Sequence, residues 1–318
     1  MPAPSASPSP SPSPAAAAAP APVSAPLPAE GRGRGLGPVA LVISAGISVQ
    51  FGAALAVMIM PRAGAAGVVT LRLAAAAVVL LLLCRPKVRG HSRSDWGTVL
   101  AFGVAMAAMN GLFYQAIDRI PLGPAVTLEV LGPLALSVFV SRRLVNLLWA
   151  GLALGGVVLL SGHGGGGLGF GSLDPLGAAY ALGAGAMWAA YIVFSARTGR
   201  RFPQADGLAL AMAVAAVLSL PLGIVGAGSD LLVPSTLALG VGVAVLSSVL
   251  PYTLEMLALR RMPAPTFAIL MSLEPAIAAS AGFLVLNQAM SARDALAIAL
   301  VIAASMGAVR SQIRKQPA

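Results

Sequence analysis

Four ionisable side chains stand inside otherwise apolar stretches of this 318-residue chain: Arg72, Glu129, Glu255 and Glu274. At the centre of a hydrocarbon layer such a group costs roughly 2.5–3.5 kcal/mol on insertion scales, so each calls for a partner or a purpose. Arg72 and Glu129 have opposite charge and equal depth, each about seven residues from the same side of the layer, or ~10 Å at 1.5 Å per residue. An ion pair between them is expected. It reads in two ways: a static clamp between two helices, or a divided site for a zwitterion, with Arg72 on the carboxylate and Glu129 on the ammonium. Glu274 lies mid-run, directly before Pro275. Proline removes a backbone N–H and loosens the helix there, which makes Glu274 the candidate proton-carrying or substrate-facing carboxylate. Glu255 is about a turn from the end of its run and has a plainer reading as well, snorkelling or pairing with Arg260 or Arg261.

Uncharged polar residues fall on helical stripes. Asn110, Tyr114 and Asp118 are spaced i, i+4, i+8; Trp188 and Tyr191 are i, i+3; Ser248, Tyr252 and Glu255 share a face. Polar groups facing lipid are costly, so these faces are expected to point inward, around a cavity or at helix contacts. The candidate substrate-binding or coupling set is therefore Arg72, Asn110, Tyr114, Glu129, Trp188, Tyr191, Tyr252, Glu255 and Glu274. No catalytic set accompanies it. His91 and His163 fall in loops, so neither a metal site nor a cofactor is expected, and the single Cys84 reads as packing. The run GHGGGGLGFG from Gly162 to Gly171 lacks the Lys-Ser/Thr of a phosphate-binding loop and reads as a flexible connection.

The elements that must position these residues are membrane helices. Hydrophobic residues make up 58% of the chain and charged ones 9%, with mean hydropathy +0.89. A soluble domain carries about a quarter charged residues, so the apolar surface here needs lipid. Runs of roughly 20 residues, long enough for ~30 Å of hydrocarbon, are placed at 38–60, 66–84, 96–117, 122–140, 144–161, 173–195, 205–226, 235–258, 264–287 and 291–309. A β-barrel would alternate in strands of ~10 residues, and this chain does not. With both ends of the chain cytoplasmic, sixteen of the twenty Lys and Arg fall in cytoplasmic segments and three (Arg62, Arg119, Arg293) outside, with Arg72 left in the membrane. That asymmetry follows the positive-inside rule and explains the net charge of +10 without nucleic acid. Residues 1–37, nearly all Pro, Ala, Ser and Gly, are expected to be a disordered cytoplasmic tail rather than a signal peptide.

The halves of the chain repeat. RIPLGPAVTLEVLGPLA from Arg119 matches RMPAPTFAILMSLEPAI from Arg261 at a shift of 142 residues, with Arg119 on Arg261, Pro121 on Pro263, Leu128 on Leu270, Leu131 on Leu273 and Pro133 on Pro275. Both segments enter the fourth helix of a half. The expected architecture is all-α, ten transmembrane helices as two inverted five-helix repeats, 38–161 and 173–309, joined by a linker at 162–172 and followed by a tail at 310–318. An odd number of helices per half turns the second upside down, a transporter pattern.

This arrangement, with Leu273-Glu274-Pro275 in the ninth span, resembles the drug/metabolite transporter superfamily and its EamA-type members. It is most similar to their threonine/homoserine exporter subgroup. The segments that carry the likeness are GVVTLRLA (Gly67–Ala74), AMNGLFYQAI (Ala108–Ile117), IPLGPAVTLEVLGPLA (Ile120–Ala135), ALGAGAMWAAYI (Ala181–Ile192), LSSVLPYTLEMLAL (Leu246–Leu259), LMSLEPAIAA (Leu270–Ala279) and IAASMG (Ile302–Gly307). The resemblance implies a cytoplasmic-membrane exporter of small hydrophilic amino acids, driven by the proton gradient and in contact with lipid. It brings no established site residues with it. The same architecture also fits another cargo, such as a purine or a quaternary amine, since fold does not fix function. A membrane enzyme lacks its reactive groups here, and a scaffold would leave the repeat and the embedded charges unexplained. Composition is compatible with a monomer or a homodimer.

Overall fold

The computed structural model describes residues 37–141, 144–161, 173–202, 206–259, 261, 262, 267 and 270–313, and every regular element among them is helical. Residues 1–36 of the expected tail, the Gly-rich linker to residue 172 and residues 314–318 lie outside the described residues. The elements are α1 (Gly37–Cys84), α2 (Arg93–Ile117), α3 (Leu122–Glu129), α4 (Leu131–Ser141), α5 (Leu144–Ser161), α6 (Pro175–Gly199), α7 (Asp206–Ala227), α8 (Pro234–Ala244), α9 (Leu250–Leu259), α10 (Glu274–Leu286) and α11 (Ala292–Ile313). A 3-10 turn, Gly228–Leu232, follows α7, and a π-turn, Val245–Val249, joins α8 to α9.

Six of the described helices are long and apolar enough to cross a membrane, where ten spans were expected. The first two expected spans run together in α1, whose 48 residues would extend about 72 Å as one straight helix, more than twice the hydrocarbon thickness. Gly64, at φ 63° and ψ 165°, interrupts it three residues after Pro61, so α1 has two arms. Each arm has its own partners. In the first, Ser48 Oγ donates to the Leu246 carbonyl at 2.6 Å; in the second, Thr70 Oγ1 donates to the Ser219 carbonyl at 2.8 Å.

The fourth and ninth spans are divided by prolines at equivalent places. Pro133 has no N–H for the carbonyl of Glu129, four residues back, and the helix breaks there into α3 and α4. Pro275 does the same to the carbonyl of Met271; Ser272 and Leu273 form a turn, and α10 starts at Glu274. At the other limit of the expectation, α11 continues to Ile313, into the segment assigned to a tail.

The interior is built from small residues. Ala45, Ala54, Ala56, Ala63, Ala181 and Ala281 are fully buried, while Leu82, Leu83, Leu222 and Val225 face outward. In lipid, helices associate by close backbone approach rather than by hiding Leu from water, which accounts for this inversion. Gly132 and Gly185 show the principle. A Cβ on Gly132 would run into the backbone of Gly185, and one on Gly185 into the carbonyl of Glu129. The α3–α4 break is thus pressed against α6. Gly132→Val is therefore expected to overpack this contact, lowering stability by about 1–3 kcal/mol. The thermal midpoint of detergent-solubilised protein checks this. Gly151→Ala, where a Cβ meets nothing within 4 Å, serves as the neutral comparison.

Candidate functional site

The polar residues of these helices converge on one cavity of about 480 Å³. The site begins with Pro251. Its missing N–H would have paired with the carbonyl of Ser247, four residues back, and the chain loosens there into the π-turn Val245–Val249. Arg72 Nη2, from the second arm of α1, donates to that Ser247 carbonyl at 3.2 Å. Its Nη1 donates to Asn110 Oδ1 at 2.7 Å and to Tyr114 Oη at 3.3 Å, both on α2. The guanidinium also lies 5.5 Å from the centroid of the Tyr114 ring. Asn110 is oriented in turn by its Nδ2, which donates to the Met106 carbonyl at 2.9 Å. Three elements thus hold the cation in place and leave its buried Nε–H without a partner.

Around Arg72 the cavity is lined by Asn110, Glu129, Trp188, Tyr191, Glu255 and Glu274, drawn from α2, α3, α6, α9 and α10. Glu274, at the first position of α10, is buried. The Tyr191 ring packs 5.1 Å from that of Phe102. Chemically, the cavity offers one fixed cation, three carboxyl groups, an indole and a phenol. Full ionisation leaves more negative than positive charge, which a proton or a cationic group on a ligand would balance.

Not every expected residue is placed there. Tyr114 is fully buried behind Arg72, where it positions the guanidinium and does not line the cavity. The Tyr252 side chain lies outside the described residues. Arg72 and Glu129 line the same cavity, but the expected direct ion pair is not formed; the cation takes neutral acceptors instead. Asp118 departs from its stripe because α2 ends at Ile117, which leaves it exposed as the C-cap. On α9 the cavity face is Ser247, Pro251 and Glu255 rather than Ser248, Tyr252 and Glu255, because the π-turn shifts the helical register.

Three lining residues escaped the sequence reading: Gln50, Ser247 and Ser305. All are buried, and each has a side-chain oxygen without a partner. Ser247 could have been found from Pro251, since the residue four before a helical proline has a free carbonyl. Gln50 was visible as an amide in the middle of an apolar span. Ser305, a lone hydroxyl in a helix, carries no such signal.

The cavity has an open and a closed direction. Its lining reaches Ala308 and Val309, beside Arg310. At the opposite end α3 closes on α10: Leu122 N–H donates to Gln288 Oε1 at 3.0 Å, and a Cβ on Gly123 would come within 2.9 Å of the Ala279 side chain.

Comparison with known proteins places this geometry. The profile of the EamA-like transporter family matches residues 175–310. The threonine/homoserine exporter RhtA of Salmonella typhimurium is 42% identical over 280 residues, covering 88% of this chain and 93% of that protein. RhtA of Escherichia coli K12 is 40% identical over 279 residues, with the same coverage. A solved crystal structure of a protein 19% identical to this chain aligns with a TM-score of 0.57, covering 88% of this chain and 99% of its own; at that identity the likeness concerns the fold alone.

The Arg72–Ser247 bond is testable through its cause. Arg72→Met removes the donor and leaves buried acceptors unpaired, at about 1–3 kcal/mol each. Pro251→Ala returns an N–H to the Ser247 carbonyl. The double variant is expected to be about 1 kcal/mol more stable than the sum of the single effects allows, as read from denaturation midpoints in a double-mutant cycle. Strict additivity would show that the two sites are uncoupled.

Proposed function

Since the chain belongs to the EamA-like transporter family, we propose that it exports small hydrophilic amino acids of the threonine/homoserine type across the cytoplasmic membrane in exchange for protons. The observation that carries this reading is the single cavity in which the immobilised Arg72 meets Glu129, Glu255 and Glu274. A zwitterion needs one fixed cation for its carboxylate and an anionic surround for its ammonium. Arg72 Nε–H, already buried and unpartnered, is the carboxylate donor. Glu129 takes the ammonium, and Glu274, at the break before Pro275, exchanges protons with the substrate's arrival and departure. The names of the relatives support the cargo.

Ten spans in two inverted halves fit the packing pattern. Counting the arms of α1 as the first and second spans, the second pairs with α7, and α5 pairs with α11. The first arm pairs with the π-turn and α9, as α2 pairs with α6. A two-fold axis in the membrane plane exchanges elements in this way, pairing second with second, fifth with fifth, and first with third. With both ends of the chain cytoplasmic, the cavity faces the cytoplasm, and the contact of Leu122 with Gln288 closes the outer side. The excess of carboxyl groups keeps an organic cation as the second reading of the cargo.

Export from intact cells is the direct test. Cells overproducing the protein and loaded with amino acids as dipeptides should release threonine and homoserine several-fold faster than vector controls, and an uncoupler should abolish the difference. Glu274→Gln should cut net efflux at least ~10-fold at an unchanged membrane level while threonine–threonine exchange persists. Loss of both processes together would mean that Glu274 does not carry the proton.

A further inference from the structure

Gln50 stands in the middle of the first arm of α1, 3% exposed, with its Oε1 buried and without a partner. It lines the central cavity between Val49 and Ala53, on the wall opposite no charge of its own helix. Its neighbours two residues to either side are already committed: Ser48 bonds the Leu246 carbonyl, and Gly52 is filled by the Ser247 side chain. Gln50 is therefore the group that α1 turns to the cavity, and what it presents there is a neutral acceptor.

An acceptor calls for a donor, and this sorts the groups of a bound amino acid. A carboxylate has no proton to give and is matched by Arg72. An ammonium group has three stronger acceptors at hand in Glu129, Glu255 and Glu274. The remaining donor on a hydrophilic amino acid is a side-chain hydroxyl, the group that threonine and homoserine share. Resting on the exporter reading above, we propose that Gln50 is a specificity-determining residue whose Oε1 accepts the hydroxyl proton of a hydroxy amino acid in this cavity.

The physical basis of selection is what happens when that hydroxyl is missing. Water can satisfy Gln50 in the empty cavity. A ligand that displaces the water without supplying a donor leaves the amide oxygen buried and unpaired, and sites of this kind discriminate strongly against such analogues. The preference then depends on one oxygen atom and not on the overall fit of the cavity.

The experiment compares threonine with 2-aminobutyrate, the same carbon skeleton without the hydroxyl. Efflux of each is followed from cells, or from proteoliposomes holding purified full-length protein, with wild type, Gln50→Leu and Gln50→Met. Wild type should favour threonine by at least ~10-fold, and both variants should collapse that ratio by a similar factor, chiefly through loss of threonine efflux. An equal fall for both compounds in the variants would assign Gln50 to the ammonium group or to packing and overturn the proposal. So would an undisturbed ratio. A wild type that exports both compounds equally overturns it with no variant needed and leaves the exporter reading standing. A wild type that moves neither compound overturns both.

Discussion

A guanidinium buried among apolar helices has to be given acceptors before anything else in this molecule can be arranged. Arg72 receives them from two directions. Asn110 and Tyr114 come from α2, and the third is a backbone carbonyl that a proline has taken out of its own helix. The arrangement joins α1, α2 and the α8–α9 connection around one cation, using neutral partners throughout. A carboxylate partner would have neutralised Arg72 outright. Neutral acceptors fix its position and leave its charge available to a ligand.

The three prolines at 133, 251 and 275 make one device in three places. Each withholds a single N–H, and each freed carbonyl lies at the cavity or at the helix contact beside it: Glu129 against Gly185, Ser247 against Arg72, Met271 in the cavity lining. Broken helices at mid-membrane are tolerated where the freed backbone is covered by protein or borders a cavity. The glycine contact of Gly132 with Gly185 provides that cover for one break, and the guanidinium provides it for another.

Much of this was legible in the sequence because membrane insertion is so unforgiving. Apolar runs and the placement of Lys and Arg were enough to locate the helices, and the rarity of embedded charge marked Arg72, Glu129, Glu255 and Glu274, all of which line the cavity. The errors have local causes. Helical spacing put Ser248 and Tyr252 on the cavity face with Glu255, since a π-turn is invisible to a constant period of 3.6 residues. Opposite charges at equal depth suggested that Arg72 pairs with Glu129, yet depth says nothing about rotation about the helix axis. Gln50 was passed over because a neutral amide raises no alarm in a hydropathy profile, although its burial without a partner is as informative as a charge.

The π-turn at Val245–Val249 has one more implication, for how this helix came to have its present length. A π-turn holds one residue more than the α-helix that it interrupts. The α8–α9 segment therefore behaves as a helix carrying a single-residue insertion, absorbed where Pro251 had already opened the hydrogen-bond ladder. Deleting that extra residue would leave a regular helix and rotate everything beyond it by about 100°, taking Glu255 off the cavity wall. A change of one codon, neutral in hydropathy, would thus redraw the chemistry of the compartment.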